Sequence, residues 1–127
     1  MWKKYEVWAY RLAALGWMGI IFLQSSKPGS QIRIQPPVDK AIHMGAFGVL
    51  AFLLALGAGR RLERHVVWLI PLTVAVLGGM DEFHQSFSPG RSVSFDDVVA
   101  DFTGALAATM AWWLARRQGM ELVKEGR

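Results

Sequence analysis

The chain has 127 residues, of which 53% are hydrophobic and 19% charged, and its formal net charge is +4. Soluble domains have about 25% charged residues, so the composition favours a membrane protein, and the length suits one domain over residues 1–127. Because the sequence contains no cysteine, a disulfide framework and a thiol nucleophile are excluded.

Four apolar segments follow one another along the chain. A spanning helix needs about 20 mostly apolar residues, and each segment reaches that length when residues suited to a membrane boundary are included. We therefore predict an all-α bundle of four transmembrane helices, at about residues 7–24, 39–58, 66–85 and 97–115, followed by a charged tail at 116–127.

Two alternatives to four retained spans can be weighed from the sequence. A soluble four-helix bundle would show a polar helix face at every turn, whereas "AFGVLAFLLALGA" and "VVWLIPLTVAVLGGM" offer none. A cleaved signal peptide is suggested by Lys3-Lys4 before an apolar run. No A-x-A cleavage pattern follows Leu23, however, and three more apolar segments do. We therefore favour a compact, multi-pass membrane bundle.

The distribution of basic residues predicts the orientation. The side with both termini carries ten, namely Lys3, Lys4, Arg11, Arg60, Arg61, Arg64, Arg116, Arg117, Lys124 and Arg127. The other side carries Lys27, Arg33, Lys40 and Arg91. Since lysine and arginine accumulate on the cytoplasmic side, both termini are predicted inside a bacterial cytoplasmic membrane. Anionic lipid headgroups explain these basic residues more simply than nucleic acid does.

Polar residues gather at the predicted outer ends of three helices. They form pairs at helical spacing, namely Asp39 with His43, Asp81 with His84 and Gln85, and Asp97 with Asp101. Each has a purely structural interpretation. Asp39 or Asp97 would cap a helix, His43 would bond a neighbouring carboxylate, Glu82 would face headgroups, and Arg91 would reach lipid phosphate or pair with Asp97. Carboxylates at a membrane boundary are costly and usually functional, so together they predict one outer site.

Glycine and alanine lie at many positions within the helices. Such small residues let the backbones of membrane helices approach closely. They predict tight packing beneath the site, at Gly16, Gly19, Gly45, Gly48, Gly78, Gly79, Gly104, Ala105 and Ala108.

Several motifs resemble those of the VanZ-like family of small bacterial membrane proteins. They are Ser25-Ser26 with Pro28, "DKAIHMGAFGVLAFLL" at 39–54, "DEFHQSFSPGR" at 81–91 and "DVVADFTGA" at 97–105. The resemblance covers residues 24–115 and singles out Asp39, Lys40, His43, Phe47, Asp81, Glu82, Gln85, Pro89, Arg91, Asp97, Asp101 and Gly104. Asparagine is frequent in the family where this chain has Asp101. The resemblance implies a cell-envelope role, and the namesake is associated with low-level resistance to the glycopeptide teicoplanin.

The first functional hypothesis is binding of a lipid-linked or anionic headgroup, with membrane lipids or an envelope precursor as the partner and an accessory role in the envelope. Lys40 and Arg91 would contact phosphate, while polar side chains would take amine or hydroxyl groups, namely Asp81, Gln85, Asp97 and Asp101. Three aromatic residues would line the acyl side, namely Phe47, Phe83 and Phe87.

The second hypothesis is an enzyme acting on a lipid-linked phosphoester or glycolipid. His43 would be the general acid or base, oriented by Asp39 and accompanied by Glu82, and Arg91 would stabilise charge on phosphate. A divalent cation would bind Asp81, Glu82 and Asp97. A third reading, an ion-coupled transporter subunit, would require oligomerisation because four spans are few. The sequence ranks binding above catalysis and leaves the oligomeric state open.

Overall fold

The computed structural model describes residues 4–31, 34–59 and 64–125. Within these ranges the chain forms no β-strand. Its elements are the four helices α1 (Lys4–Ser25), α2 (Val38–Ala58), α3 (Val66–Gln85) and α4 (Phe95–Glu125), and a short 3-10 turn at Gly29–Gln31. Each of the four helices is long and apolar enough to cross a membrane. The predicted all-α fold is confirmed, with four helices that are each able to span a membrane. Five basic residues of the charge count lie outside the described ranges, namely Lys3, Arg33, Arg60, Arg61 and Arg127.

The helix boundaries follow the prediction closely at α3 and less closely elsewhere. Helix α4 continues to Glu125, so residues 116–125 are helical where the sequence predicted a tail. The segment is rich in arginine, methionine, glutamate, leucine and lysine, which are good helix formers, and a helix can leave the membrane without ending. The predicted N-cap at Asp39 is wrong. Pro37 holds that position, and Asp39 lies in the first turn of α2, where the helix dipole favours a carboxylate.

Helix α4 packs against both α2 and α3, while α1 lies mainly along α2. The core between them is built from Phe47 and Leu50 of α2, Val74 of α3 and Ala105 of α4, each 2% exposed or less. Helix α1 buries the smallest share of its residues and presents large apolar side chains outward. Such an outward surface suits the hydrocarbon of a bilayer, where no polar face is needed.

The closest approach between helices lies where α4 passes α2. A Cβ atom on Gly104 would overlap the backbone of Met44, and one on Gly48 would lie 3.3 Å from the Gly104 carbonyl oxygen. Small residues permit such a close crossing, so the predicted tight packing is confirmed at Gly48 and Gly104, and also at Gly78, where an added Cβ would overlap Oδ2 of Asp101. It is wrong at four other glycines, where an added Cβ would meet no atom within 4 Å, namely Gly16, Gly19, Gly45 and Gly79.

The segments after α1 and after α3 are joined to each other. The Gly29 N–H donates to the Pro89 carbonyl (2.9 Å), and the Ser88 hydroxyl donates to the Ser25 carbonyl (3.1 Å). These bonds fix the turn that carries Arg91 against the end of α1. We call this end of the bundle, where α1 and α3 end and α2 and α4 begin, the polar end.

Candidate functional site

Buried charged and polar side chains concentrate at the polar end. Besides Ser25 and Ser88, the buried side chains at this end are 9% exposed or less and comprise Asp81, Glu82, Gln85, Asp97 and Asp101. They come from α3 and α4, and His43 of α2 lies against them. The predicted convergence of three helix ends is therefore present in the structure. Since ionisable groups between membrane helices are costly to bury, the arrangement calls for a chemical explanation.

His43 is held by α4. Its Nδ1 lies 2.9 Å from Oδ1 of Asp101, and its Nε2 lies 3.6 Å from Oδ2 of Asp97. The Asp101 side chain is completely buried and packs against Gly78, where an added Cβ would overlap its Oδ2. The prediction that Asp39 orients His43 is wrong: in the described structure Asp101 has that position, because helix packing brings α4 closer to the imidazole than the preceding turn of α2.

Lys40 is surrounded by acceptors. Its ammonium group bonds Asp97, lies 3.3 Å from Oδ2 of Asp39 and donates to the Ser94 hydroxyl at 3.2 Å. Two carboxylates therefore neutralise this cation, and they compete with any phosphate for it. The alternative in which Arg91 pairs with Asp97 is wrong, because Lys40 takes that place.

Glu82 points into the protein and is only 1% exposed, so its predicted alternative role facing headgroups is wrong. Its Oε2 accepts the Ser94 backbone N–H at 2.7 Å. Its Oε1 is buried and has no hydrogen-bond partner among the described residues. One carboxylate oxygen is thus used to fix the side chain, and the other remains unsatisfied.

A second hydrogen-bonded chain links α1 to α3. Oδ2 of Asp81 accepts the Ser25 hydroxyl at 2.6 Å and the Gln85 amide at 3.1 Å, and the Gln85 carbonyl oxygen accepts an Arg91 N–H at 2.5 Å. Helix α1 therefore contributes to the site through Ser25. Nearby, His84 bonds Ser26 at 2.9 Å and stacks on Phe22, so it fastens α1 to α3 instead of joining the cluster.

Ser94 belongs to the candidate site, although the sequence motifs did not single it out. It contacts Glu82, Lys40 and Asp97. It stands three residues before Asp97, and its hydroxyl accepts the Asp97 N–H at 3.4 Å. A serine followed at the third position by an acidic residue is a helix-start signal, and this signal could have identified it.

A cavity of about 770 Å³ opens beside these groups. Its polar lining includes Asp39, Lys40, His43, Asp81, Gln85, Arg91 and Asp97, and its apolar wall includes Trp17, Ile20, Ile21, Ile42, Ala46 and Phe47. Glu82 and Asp101 lie behind the polar lining. Phe47 faces the cavity as predicted. Phe83 and Phe87, which are 66% and 71% exposed and lie outside its lining, do not.

The sequence predicted a metal site formed by Asp81, Glu82 and Asp97, but the fold brings a different set of three residues together. Donor atoms of His43, Glu82 and Asp97 lie within 4.8 Å of one another. The third predicted ligand, Asp81, is engaged with Ser25 and Gln85 instead. The difference arises because His43 reaches α4 across the helix interface, which residue spacing along one helix cannot show.

Comparison with protein families gives one decisive match. A family model described as VanZ/LLP1 covers residues 8–116. The chain belongs to the VanZ/LLP1 family. Comparisons with curated proteins and with solved structures gave no match. Family membership and four candidate spans together support a multi-pass membrane protein of the cell envelope, and its function is argued from the site.

Proposed function

We propose that this VanZ/LLP1 protein binds the anionic headgroup of an amphiphile, a membrane lipid or a lipid-linked envelope precursor, in the cavity at its polar end. The observation that carries the proposal is the double character of that cavity. Ionic and hydrogen-bonding groups line one part of its surface, and apolar side chains of α1 and α2 line another. A ligand that matches both surfaces has a polar head and a hydrocarbon chain.

Arg91 supports the anionic part of the proposal. Its guanidinium group donates to the neutral carbonyl of Gln85, and the described structure gives it no carboxylate within ion-pair distance. A guanidinium group has five N–H donors in a planar fork that suits phosphate oxygens. Lys27 also lines the cavity. Phosphate recognition is thus assigned to Arg91 with Lys27, in place of the neutralised Lys40.

The carboxylates support recognition of the rest of the headgroup. Oδ1 of Asp39 and Oδ1 of Asp81 are buried atoms without hydrogen-bond partners in the described structure, and both residues line the cavity. A buried acceptor that lacks a donor costs about 1–3 kcal/mol. Hydroxyl or ammonium groups of a headgroup would supply the missing donors.

The apolar wall supports a route for the hydrocarbon chain. Ile20 of α1 and Ile42 of α2 both line the cavity, yet they are 51% and 48% exposed. The cavity surface is therefore continuous with the outer surface of the helices between α1 and α2. An acyl or prenyl chain would leave by this side and remain in the bilayer while its headgroup occupies the polar part.

The orientation belongs to the same proposal. The excess of lysine and arginine on the side of the termini supports cytoplasmic termini and an extracytoplasmic polar end. The ligand would then be bound from the outer leaflet.

Lipid binding to purified protein in detergent tests the proposal. Native mass spectrometry would compare phosphatidylglycerol and polyprenyl phosphate with phosphatidylcholine, which has no net charge. We expect one anionic lipid to bind preferentially, and Arg91→Gln to weaken it about tenfold or more, since a hydrogen bond to a charged group contributes about 1.5–3 kcal/mol. Arg64→Gln, at the opposite end, is the matched control. Equal binding of all three lipids, or equal effects of the two variants, would contradict the proposal.

An enzyme acting on a lipid-linked phosphoester is the second candidate function, and the His43–Asp101 pair favours it. A fully buried carboxylate bonded to one imidazole nitrogen orients the other toward a site, and His43 lines the cavity. Incubation with polyprenyl diphosphate distinguishes the two functions. Release of phosphate that His43→Gln abolishes would establish catalysis, and recovery of intact lipid from the bound complex would favour binding alone.

A further inference from the structure

We propose that His43, Glu82 and Asp97 form a site for one divalent transition-type cation, Zn²⁺ or Mn²⁺. One donor atom from each residue lies within 4.8 Å of the other two, and the three residues come from α2, α3 and α4. His43 and Asp97 line the cavity, and Glu82 lies outside its lining. The inference goes beyond headgroup binding and does not depend on it.

Each of the three side chains is fixed through one atom and leaves another available. His43 uses Nδ1 toward Asp101, Glu82 uses Oε2 toward the Ser94 N–H, and Asp97 uses Oδ1 toward Lys40. Nε2, Oε1 and Oδ2 remain. Metal ligands are typically oriented in this manner, and a histidine ligand usually donates its other N–H to a carboxylate. Asp101, with a fully buried side chain, has that position.

The unsatisfied Oε1 of Glu82 is an independent indication. It is a carboxylate oxygen on a side chain that is 99% buried, and no described residue donates to it. Leaving a buried charged acceptor without a partner is strongly unfavourable. Lys40 is already shared between Asp39 and Asp97, so Glu82 either takes up a proton or binds a cation. The ligand atoms of His43 and Asp97 beside it favour the cation.

The spacing and the donor types indicate the class of metal. Ligand atoms about 2.0–2.2 Å from a tetrahedral Zn²⁺ are about 3.4 Å apart, and Nε2 of His43 lies 3.6 Å from Oδ2 of Asp97. An imidazole with two carboxylates suits Zn²⁺ or Mn²⁺, whereas Mg²⁺ and Ca²⁺ prefer oxygen ligands alone. Because His43 and Asp97 line the cavity, a water molecule or a phosphate oxygen could complete the coordination.

Isothermal titration calorimetry of the full-length protein, purified in detergent and stripped of metal with EDTA, tests the site. We expect one equivalent of Zn²⁺ or Mn²⁺ to bind, more tightly than Mg²⁺. Glu82→Gln and Asp97→Asn should each weaken binding at least tenfold. Asp101→Asn should weaken it about 10–100-fold, the usual effect of removing an outer partner of a ligand.

Two matched controls distinguish metal binding at this site from non-specific binding of cations to carboxylates. Asp96→Asn removes an exposed carboxylate next to Asp97, and Asp81→Asn removes a buried carboxylate that lies outside the trio. Both should bind the metal like the unsubstituted protein, and so should Arg91→Gln, because Arg91 contacts none of the three proposed ligands. If the protein failed to bind lipid, the expected metal binding would therefore be unchanged.

A measurement on the unsubstituted protein covers the case in which a variant fails to fold. Co²⁺ substituted for Zn²⁺ should give the visible absorption of a low-coordinate site with nitrogen and oxygen ligands. The proposal is overturned by folded, monodisperse protein that binds less than a tenth of an equivalent of either metal. Affinities that Asp96→Asn and Asp97→Asn lower equally, or a preference for Mg²⁺, would overturn it as well.

Discussion

The two ends of the helix bundle use their charged residues differently. At the end opposite the polar end, which we call the arginine end, Arg11 donates to the Gly57 carbonyl at 3.0 Å and Arg116 donates to the Gly59 carbonyl. Both carbonyls lie where α2 finishes. The last carbonyls of a helix have no partner within it, so these arginines complete the helix and fasten α1 and α4 to its end.

At the polar end, the charged groups exceed what helix termination requires. Four carboxylate oxygens are buried without a hydrogen-bond partner in the described structure, on Asp39, Asp81, Glu82 and Asp101. Evolution commonly keeps such costly groups where they bind something. The contrast shows that a charged residue near a membrane boundary is not by itself a sign of function. Charged groups that the fold leaves without hydrogen-bond partners are such a sign.

The comparison would break down if both ends faced the same side of the membrane. The chain has no cysteine, so single cysteines report the topology cleanly. We predict that Ser30→Cys reacts with a membrane-impermeant maleimide in intact cells, and that Gln118→Cys reacts only after permeabilisation, an all-or-none difference. Both positions are exposed. The reverse pattern would place the cavity in the cytoplasm.

The next largest effect is expected on stability. Gly104→Ala would force α4 away from the Met44 backbone, directly beside the His43–Asp101 contact, and overpacking typically costs about 1–3 kcal/mol. At the arginine end, Gly57→Ala meets mainly the flexible Arg11 side chain, at 3.1 Å, and should cost less than about 1 kcal/mol. Thermal unfolding in detergent measures both. Similar losses of unfolding free energy in the two variants would contradict the closer helix contact described at Gly104.

Arginine substitutions at the two ends should differ in their effect on lipid binding. Arg11→Gln removes a hydrogen bond to a helix carbonyl and a contact with the Trp8 ring, so the free energy of unfolding should fall by about 1.5–3 kcal/mol. Its lipid affinity should be unchanged. Arg91→Gln loses a comparable hydrogen bond, to the Gln85 carbonyl, so its free energy of unfolding should fall by a similar amount, but its lipid affinity should also fall about tenfold or more. Equal changes in lipid affinity in the two variants would contradict the proposed division of roles.

The smallest effect is predicted for two phenylalanines near the cavity. Phe83 and Phe87 contact each other edge to face and are largely exposed. Phe83→Ala and Phe87→Ala should therefore change stability in detergent by about 0.5–1.5 kcal/mol, the strength of an aromatic pair, and should leave lipid affinity unchanged. A tenfold loss of lipid affinity would show that these rings, although outside the cavity lining, belong to the ligand site.

The number of helices, and their approximate limits, could be predicted from the sequence. Apolar length sets a membrane span, and residues such as those of "VVWLIPLTVAVLGGM" leave no polar face to interpret otherwise. The site residues were also identifiable, because Asp39, His43, Asp81 and Asp97 lie at helix ends. The residues that they contact could not be identified from the sequence. Spacing along one helix pairs Asp39 with His43, but the contact across to Asp101 depends on how closely Gly104 lets α4 approach α2.

Photocrosslinking tests the central claim, that the cavity at the polar end holds an anionic amphiphile. A phosphatidylglycerol or polyprenyl phosphate carrying a diazirine near its headgroup would be irradiated with the protein, and the labelled residues mapped by mass spectrometry. We predict labelling within residues 17–27 and 39–47, and its loss in Arg91→Gln but not in Arg64→Gln. Labelling confined to the exposed face of α3, at Leu69, Leu72 and Val76, and unchanged in Arg91→Gln, would contradict the account.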